Sequence, residues 1–501
     1  MKNLSEIKLK KPELRKPEFK KLCLLPAIVT LLIYSIILAV KGIYPFGDNT
    51  IDYYDMAQQI AAFYYHVFDS MHGTKGWFYD FYSALGTNMA MSTSGCSSFS
   101  PFDIFFLFIN RASLLKSLSV FNGIKLMCMS LTMYFYLDKT HTESPYFFKL
   151  VSSVGYAFCG FVLVLYITNQ WVDIAVFFPL IMYFYDKLIS EGRMKGYVIT
   201  LTITLIASYY LGFMILIFIF LYTGLKMAAG YLFDVQTVET EESHTKKIRS
   251  LPDLNLSGLG IGTLISLALS SFILIPQLRQ MLTSARFKNG NGEEASGIIG
   301  KYLMILKHVH GDYTTRWWTL LGLSFAASII LAGIIRFRKD RKTVFMSVSM
   351  ILLMVLELFF ESINLIWHFG SYIQYPIRNG FIIYFVFAYW GCYFAAKIYG
   401  AEEDSGFPIR FYPGFIATLI FYLAFIAWYR NHPGLALRNV FHVTSAIMVA
   451  GTDDKHTINR RTFDILSIVF IIHNTFYDAK VVPFFIISKF FFKKMQFCTI
   501  K

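Results

Sequence analysis

The sequence predicts an all-α polytopic membrane protein of about eleven transmembrane helices, with an amphipathic surface helix in its first external loop. Three observations predict it. Of the 501 residues, 55% are apolar and the mean hydropathy is +0.50. Charged residues make up only 16%, against roughly 25% in soluble domains. Apolar stretches close to the ~20 residues that cross a bilayer recur along the chain, and the basic residues cluster between them. The net charge of +14 therefore reads as loops held on the cytoplasmic side, with no nucleic-acid partner. The six cysteines form no CxxC pair and no metal-ligand spacing, so neither a disulfide framework nor a metal centre is expected.

Residues 1–21 carry eight basic side chains and predict a cytoplasmic tail near anionic lipid. Residues 22–40 form the first span. No small-residue cleavage site follows it, so it reads as a retained signal-anchor. Residues 41–100 then fall outside the cell. Their charges are mostly acidic: Asp48, Asp52, Asp55, Asp69 and Asp80 against Lys41 and Lys75. At helical spacing Asp55, Gln59, His66 and Asp69 share one face, beside an apolar stripe of Met56, Ile60, Phe63, Val67 and Met71. That pattern suits a helix lying on the membrane with its carboxylates turned to a cavity. A plainer account makes Asp52 the N-cap and Asp55 the N3 residue, both placed by the helix dipole. Residues 102–109 are apolar but too short to span, and read as re-entrant or interfacial.

The second to fourth spans fall at 118–137, 147–167 and 171–188, with Thr168-Asn169-Gln170 as the outer turn between the last two. Asp173 lies just inside the membrane beside that turn, where a carboxylate is costly and a functional candidate. Two apolar pieces within 197–225 meet near Ser208-Tyr209-Tyr210-Leu211-Gly212 and give the fifth and sixth helices. The seventh span, 257–278, ends just before Arg279. In the following loop His308 and His310 lack a clear third ligand, so no metal is assigned. Spans follow at 317–335, 344–360, 381–396 and 415–428, with the strongest internal basic run at 336–342. Three parts result: the tail 1–21, a membrane domain 22–429 and a C-terminal segment 430–501. Counting spans brings Asp55, Asn169-Gln170, Tyr209-Tyr210, Arg279 and Arg378 to one face of the bilayer, which favours a single external cavity.

The chain resembles the YfhO family of bacterial membrane proteins, a branch of the GT-C glycosyltransferases. The match lies in Asp55-Met56-Ala57-Gln58-Gln59, Gly86-Thr87-Asn88, Ser100-Pro101-Phe102 and Asn169-Gln170-Trp171-Val172-Asp173. It continues in Ser208 to Met214, Ile366-Trp367-His368 and Pro376 to Phe381, and covers about residues 21–429. Ile60 departs from the family pattern, as do Ser98-Phe99. The resemblance implies a GT-C-like bundle in the bacterial plasma membrane. It also implies transfer of a sugar from a polyprenyl-phosphate carrier to an extracytoplasmic acceptor, a cell-envelope polymer such as teichoic acid. An acidic residue of the first external loop then acts at the reaction centre. That position maps onto Asp55, with Asp52 as its alternate. Gln59 would orient it, and Arg279 or Arg378 would meet the lipid phosphate. Asn169, Gln170, Asp173, Tyr209, Tyr210, Trp367 and His368 would line the substrate side. No cofactor is expected, though a divalent cation stays open. Two alternatives also stay open: a transporter or flippase of lipid-linked precursors, and a non-catalytic homologue.

Overall fold

Helix boundaries in this protein follow Pro, Gly and short polar side chains. The computed structural model describes residues 23–52, 55–81, 86–88, 99–239, 245–249, 252–283, 323–370 and 377–400. The basic tail, the loop with His308 and His310, the eleventh expected span and the segment from 430 lie outside the described residues.

Helix α1 is Leu25–Lys41, opened by Pro26 and closed by Gly42 at φ +59, a left-handed cap that a side chain would strain. In the first loop a π-helical turn, Met56–Ile60, runs into α2, Ala61–Met71. A short antiparallel pair, Tyr79–Asp80 with Thr87–Asn88, follows. The expected interfacial piece is a 3-10 helix, Pro101–Phe108, started by a capping box. The Ser100 hydroxyl accepts from the Phe102 N–H at 3.1 Å, and the Asp103 carboxylate accepts from the Ser100 N–H at 3.0 Å. Then comes α3, Leu114–Thr140.

The third expected span is not one helix. It is α4, Tyr146–Ala157, and α5, Gly160–Leu165, broken where Cys159 is extended, at φ −66 and ψ 161. A 3-10 turn, Tyr166–Thr168, leads into α6, Asn169–Glu191. Helices α7, Lys195–Ala207, and α8, Tyr209–Phe233, meet at Ser208, whose side chain caps α8 by accepting from the Leu211 N–H. Two antiparallel strands, Val235–Glu239 and Thr245–Arg249, follow. Their β-branched content suits a strand. The remaining helices are α9, Leu256–Thr283; α10, Ser324–Arg336; α11, Arg341–Phe359; α12, Glu361–Trp367; and α13, Gly380–Gly400. Five helices among the described residues are long and apolar enough to cross a bilayer, and three further apolar helices are shorter.

Helix α3 packs against α1, α4 and α6, and α13 packs against α4, α10 and α11. Lipid offers no hydrophobic drive between helices, so close packing and interhelical hydrogen bonds hold such a bundle. Both are present. Tyr156 Oη donates to the Ala175 carbonyl at 2.9 Å, and Tyr34 Oη to the Ser119 carbonyl at 3.0 Å. Gly155 lets Tyr384 approach so closely that a Cβ there would sit 1.9 Å from its hydroxyl. One end of the bundle carries ion pairs that join helix ends. Lys149 meets Asp138 at 3.0 Å, Lys226 meets Asp186 at 3.0 Å, and Lys397 meets Asp340 at 2.7 Å. The opposite end gathers the candidate site.

Candidate active site

The first turn of α6 carries Asn169, Gln170, Trp171 and Asp173, all buried. Asp173 and Lys125 of α3 form an ion pair at 2.7 Å, with Asp173 0% and Lys125 3% exposed. The Ser100 hydroxyl donates to the other Asp173 oxygen. Lys125 Nζ also donates to the Asn169 carbonyl at 3.3 Å and lies 5.6 Å from the Phe102 ring centre. Asp103, in the interfacial segment, completes a set of two carboxylates around one ammonium. Burial pushes its carboxyl up to about 7, against the pull of Lys125 and aided by the charge of Asp173. With Asp103 protonated, the set is close to neutral, which a buried location requires. Its mechanical effect is to pin residues 100–103, the end of the first loop, onto α3 and α6.

On the other side of the same turn, Trp171 and Tyr210 of α8 stack with ring centres 6.1 Å apart. The Arg378 guanidinium lies 5.1 Å from the Trp171 ring centre and 5.3 Å from that of Tyr210, and Nη1 donates to Tyr210 Oη at 3.1 Å. Cation–π contacts of this kind contribute about 0.5–2 kcal/mol each. The guanidinium is half-buried, so its charge is held at the surface of the aromatic pair. The His368 ring centre is 6.1 Å from that of Tyr210. Its Nδ1 lies 2.6 Å from the Asn364 carbonyl, which can only accept, so Nδ1 carries the proton and a neutral ring keeps Nε2 as an acceptor. Tyr209 is half-buried beside Tyr210, whereas Trp367 is packed into the core. The backbone around these side chains is strained. Phe369 has φ +56 and Ile377 φ +60, a left-handed conformation that costs a β-branched residue about 1–3 kcal/mol.

The first loop sits over this turn. Met56–Ile60 packs against Tyr166–Thr168, and Tyr64 Oη donates to Gln170 Oε1 at 3.4 Å. Asp55 precedes the π turn with helical φ −58 and ψ −30, and its side chain makes no capping hydrogen bond. Asp55 is therefore not a side-chain cap of this turn. Among the described residues, neither Asp55 nor Asp52 has a side-chain hydrogen bond or ion pair, and both are half-buried. Every other first-loop carboxylate described here except these two is engaged. Asp69 takes a two-pronged contact from Arg111, at 2.7 and 3.2 Å, and Asp48 meets Lys116 at 3.3 Å. Asp80 lies 3.9 Å from both His66 and Lys75. Burial lowers the His66 pKa, opposed by Asp80.

The expected four-residue face therefore divides. The Ala61 N–H bonds back to the Met56 carbonyl, five residues earlier, so a 3.6-residue period does not carry across the turn. Gln59 is exposed beside Asp55, while His66 and Asp69 turn inward. The apolar stripe also faces protein. Met56, Ile60 and Val67 pack with Phe106, Leu114, Leu118 and Phe121. Arg279 is exposed near the C-terminal end of α9.

Sequence reasoning missed Lys125 and Asp103 and gave Ser100 no role. The signal was available: a lone lysine in one apolar span and a lone aspartate in another are each costly in lipid, and pairing is the usual remedy. No cluster of three or more His, Cys, Asp or Glu able to hold a metal occurs among the described residues.

Residues 27–493, more than nine-tenths of the chain, match the family model of the bacterial membrane protein YfhO. The match continues past residue 429 into the C-terminal segment. No curated protein sequence matches the chain. Among solved structures, it is similar to the crystal structure of the Archaeoglobus fulgidus oligosaccharyltransferase in the apo form. The TM-score is 0.46 and the identity 12%, covering 91% of this chain and 56% of the other. This chain thus spans little more than half the length of that protein.

Proposed function

This chain belongs to the YfhO family of bacterial membrane proteins, and on that premise we propose that it is a membrane glycosyltransferase. It takes a sugar from a polyprenyl-phosphate donor and attaches it to an extracytoplasmic acceptor, a cell-envelope polymer such as teichoic acid. The observation that carries the reading is the state of the two kinds of charge at one end of the bundle. Asp55 is a half-buried carboxylate without a partner among the described residues. It lies on an element packed against the turn into α6, where the Arg378 guanidinium is held over Trp171 and Tyr210.

The step is an inverting displacement. The acceptor hydroxyl oxygen bonds to the anomeric carbon as the bond from that carbon to the phosphate oxygen breaks. The hydroxyl proton passes to Asp55, with Asp52 as the alternate base. The electron pair leaves on the lipid phosphate, and Arg378 offers it a planar pair of donors. Gln59 stands exposed one turn from Asp55 and suits a sugar or acceptor hydroxyl. Tyr209, Tyr210 and His368 fit the donor side, and the buried Asn169, Gln170 and Asp173 shape the floor. Arg279, exposed on α9, is left a role at the rim.

The test uses the full-length protein in vesicles with polyprenyl-phosphate-linked hexose and envelope polymer supplied outside. A new glycosidic bond on the polymer is the expected result. A second reading, a flippase of lipid-linked precursors, draws on the two interruptions at Cys159 and Ser208, since transporters bind substrates at broken helices. That reading predicts movement of the donor between leaflets and no new bond.

A further inference from the structure

Arg378 is bracketed by two side chains that come from other helices. Before it, the Ile377 N–H donates to Asn364 Oδ1 at 3.2 Å, an anchor from α12 that secures the left-handed residue. After it, the Asn379 amide Nδ2 donates to both oxygens of Glu357, at 2.8 and 3.0 Å. Glu357 lies in the last turn of α11, and both it and Asn379 are 0% exposed. A carboxylate so placed in a lipid-embedded bundle is costly to keep. A glutamine there would satisfy the same amide with one oxygen, without the charge. What the carboxylate adds is its charge and a second acceptor oxygen for the same Asn379 nitrogen, a stronger hold on the residue next to Arg378. A planar guanidinium that must meet phosphate oxygens in pairs depends on how the backbone beneath it is held.

We propose that Glu357 is a positioning residue for phosphate recognition: through Asn379 it holds the Arg378 guanidinium over Trp171 and Tyr210, in the orientation that receives the donor's phosphate. The proposal deepens the functional reading above and rests on it for the identity of the ligand. The structural part stands separately. Glu357 acts by fixing the residue next to the one that lies over the aromatic pair.

The experiment has two readouts on the full-length protein. The first is hydrogen exchange in the peptide that contains residues 377–383. Glu357→Gln is expected to speed exchange there at least tenfold while peptides from α6 keep wild-type protection, which also shows that the variant folds. Asn364→Ser, which loosens the other bracket and leaves the carboxylate intact, is expected to do the same. Wild-type exchange at 377–383 in a folded Glu357→Gln protein overturns the proposal. The second readout is the KM for polyprenyl-phosphate-linked hexose. Glu357→Gln is expected to raise it about tenfold with kcat within threefold, and to add less than twofold in an Arg378→Ala background. Full additivity of the two changes overturns the proposal, since Glu357 would then act elsewhere. If the wild-type protein forms no glycosidic bond at all, the glycosyltransferase reading fails and the exchange result still decides the role of Glu357.

Discussion

Consider replacing Lys125 by Met, a chain of similar length without the charge. Lys125 and Asp173 approach to 2.7 Å and are 3% and 0% exposed. At an effective dielectric of about 20 the Coulomb attraction at that distance is roughly 6 kcal/mol. Desolvating each ion costs several kcal/mol, so the pair as a whole contributes little net stability. Removing one partner is another matter. Lys125→Met leaves Asp173 buried with only the Ser100 hydroxyl, and removes the ammonium that Asp103 also faces. The expected loss is about 3–5 kcal/mol. Asp173→Leu leaves the ammonium facing Asp103, the second carboxyl of the set, and is expected to cost less. The double variant keeps only Asp103, a carboxyl that burial holds toward its neutral form, and should return to within about 1–2 kcal/mol of wild type. Equilibrium unfolding in mixed micelles, followed by tryptophan fluorescence, measures all three. A double variant as unstable as the sum of its singles would refute the reasoning, because the two groups would then be uncoupled.

Four further outcomes are expected. Asp55→Asn should leave unfolding stability within about 0.5 kcal/mol, since the carboxylate has no described partner to lose. Sugar transfer by that variant should fall by about 10²–10⁴-fold. Arg378→Lys keeps the charge but not the fork, and should raise the donor KM roughly tenfold in the vesicle assay. Asp103 is pushed up to about 7 in the folded protein, against an unfolded carboxyl near ~3.9. The folded state therefore holds a proton that the unfolded chain releases, and stability falls as pH rises from about 4 to about 7 and levels off above. A pH series on Asp103→Asn should lose that slope. Gly155→Ala places a Cβ 1.9 Å from the Tyr384 hydroxyl, and the overpacking should cost about 1–3 kcal/mol in the same unfolding assay.

The helices were legible because a membrane span announces itself in composition. Among the described residues a helix stands within each expected span up to the tenth, the third broken at Cys159. Length and hydropathy do not report such a break, because the residues on both sides are equally apolar. The strand pair at 235–239 and 245–249 was hidden by its charge, which reads as loop. At the site, Trp171, Tyr210, His368 and Arg378 were found by motif and are brought together. The face assigned to Asp55, Gln59, His66 and Asp69 was drawn at a 3.6-residue period, and one π turn is enough to rotate its first half away from its second. Partners were the least legible feature. Nothing in the sequence spacing links Ser100 to Asp173, or Glu357 to Asn379, because those contacts depend on how helices far apart in the chain are packed.

The central claim is that an acidic side chain of the first loop activates an acceptor hydroxyl for sugar transfer. Deleting the gene and restoring it with wild-type or Asp55→Asn protein, expressed at equal levels, tests this most directly when the envelope polymers are then weighed by mass spectrometry. The account predicts that deletion removes a hexose-sized increment, that the wild type restores it and that Asp55→Asn does not. Full restoration by Asp55→Asn, or polymers unchanged by the deletion, would contradict it.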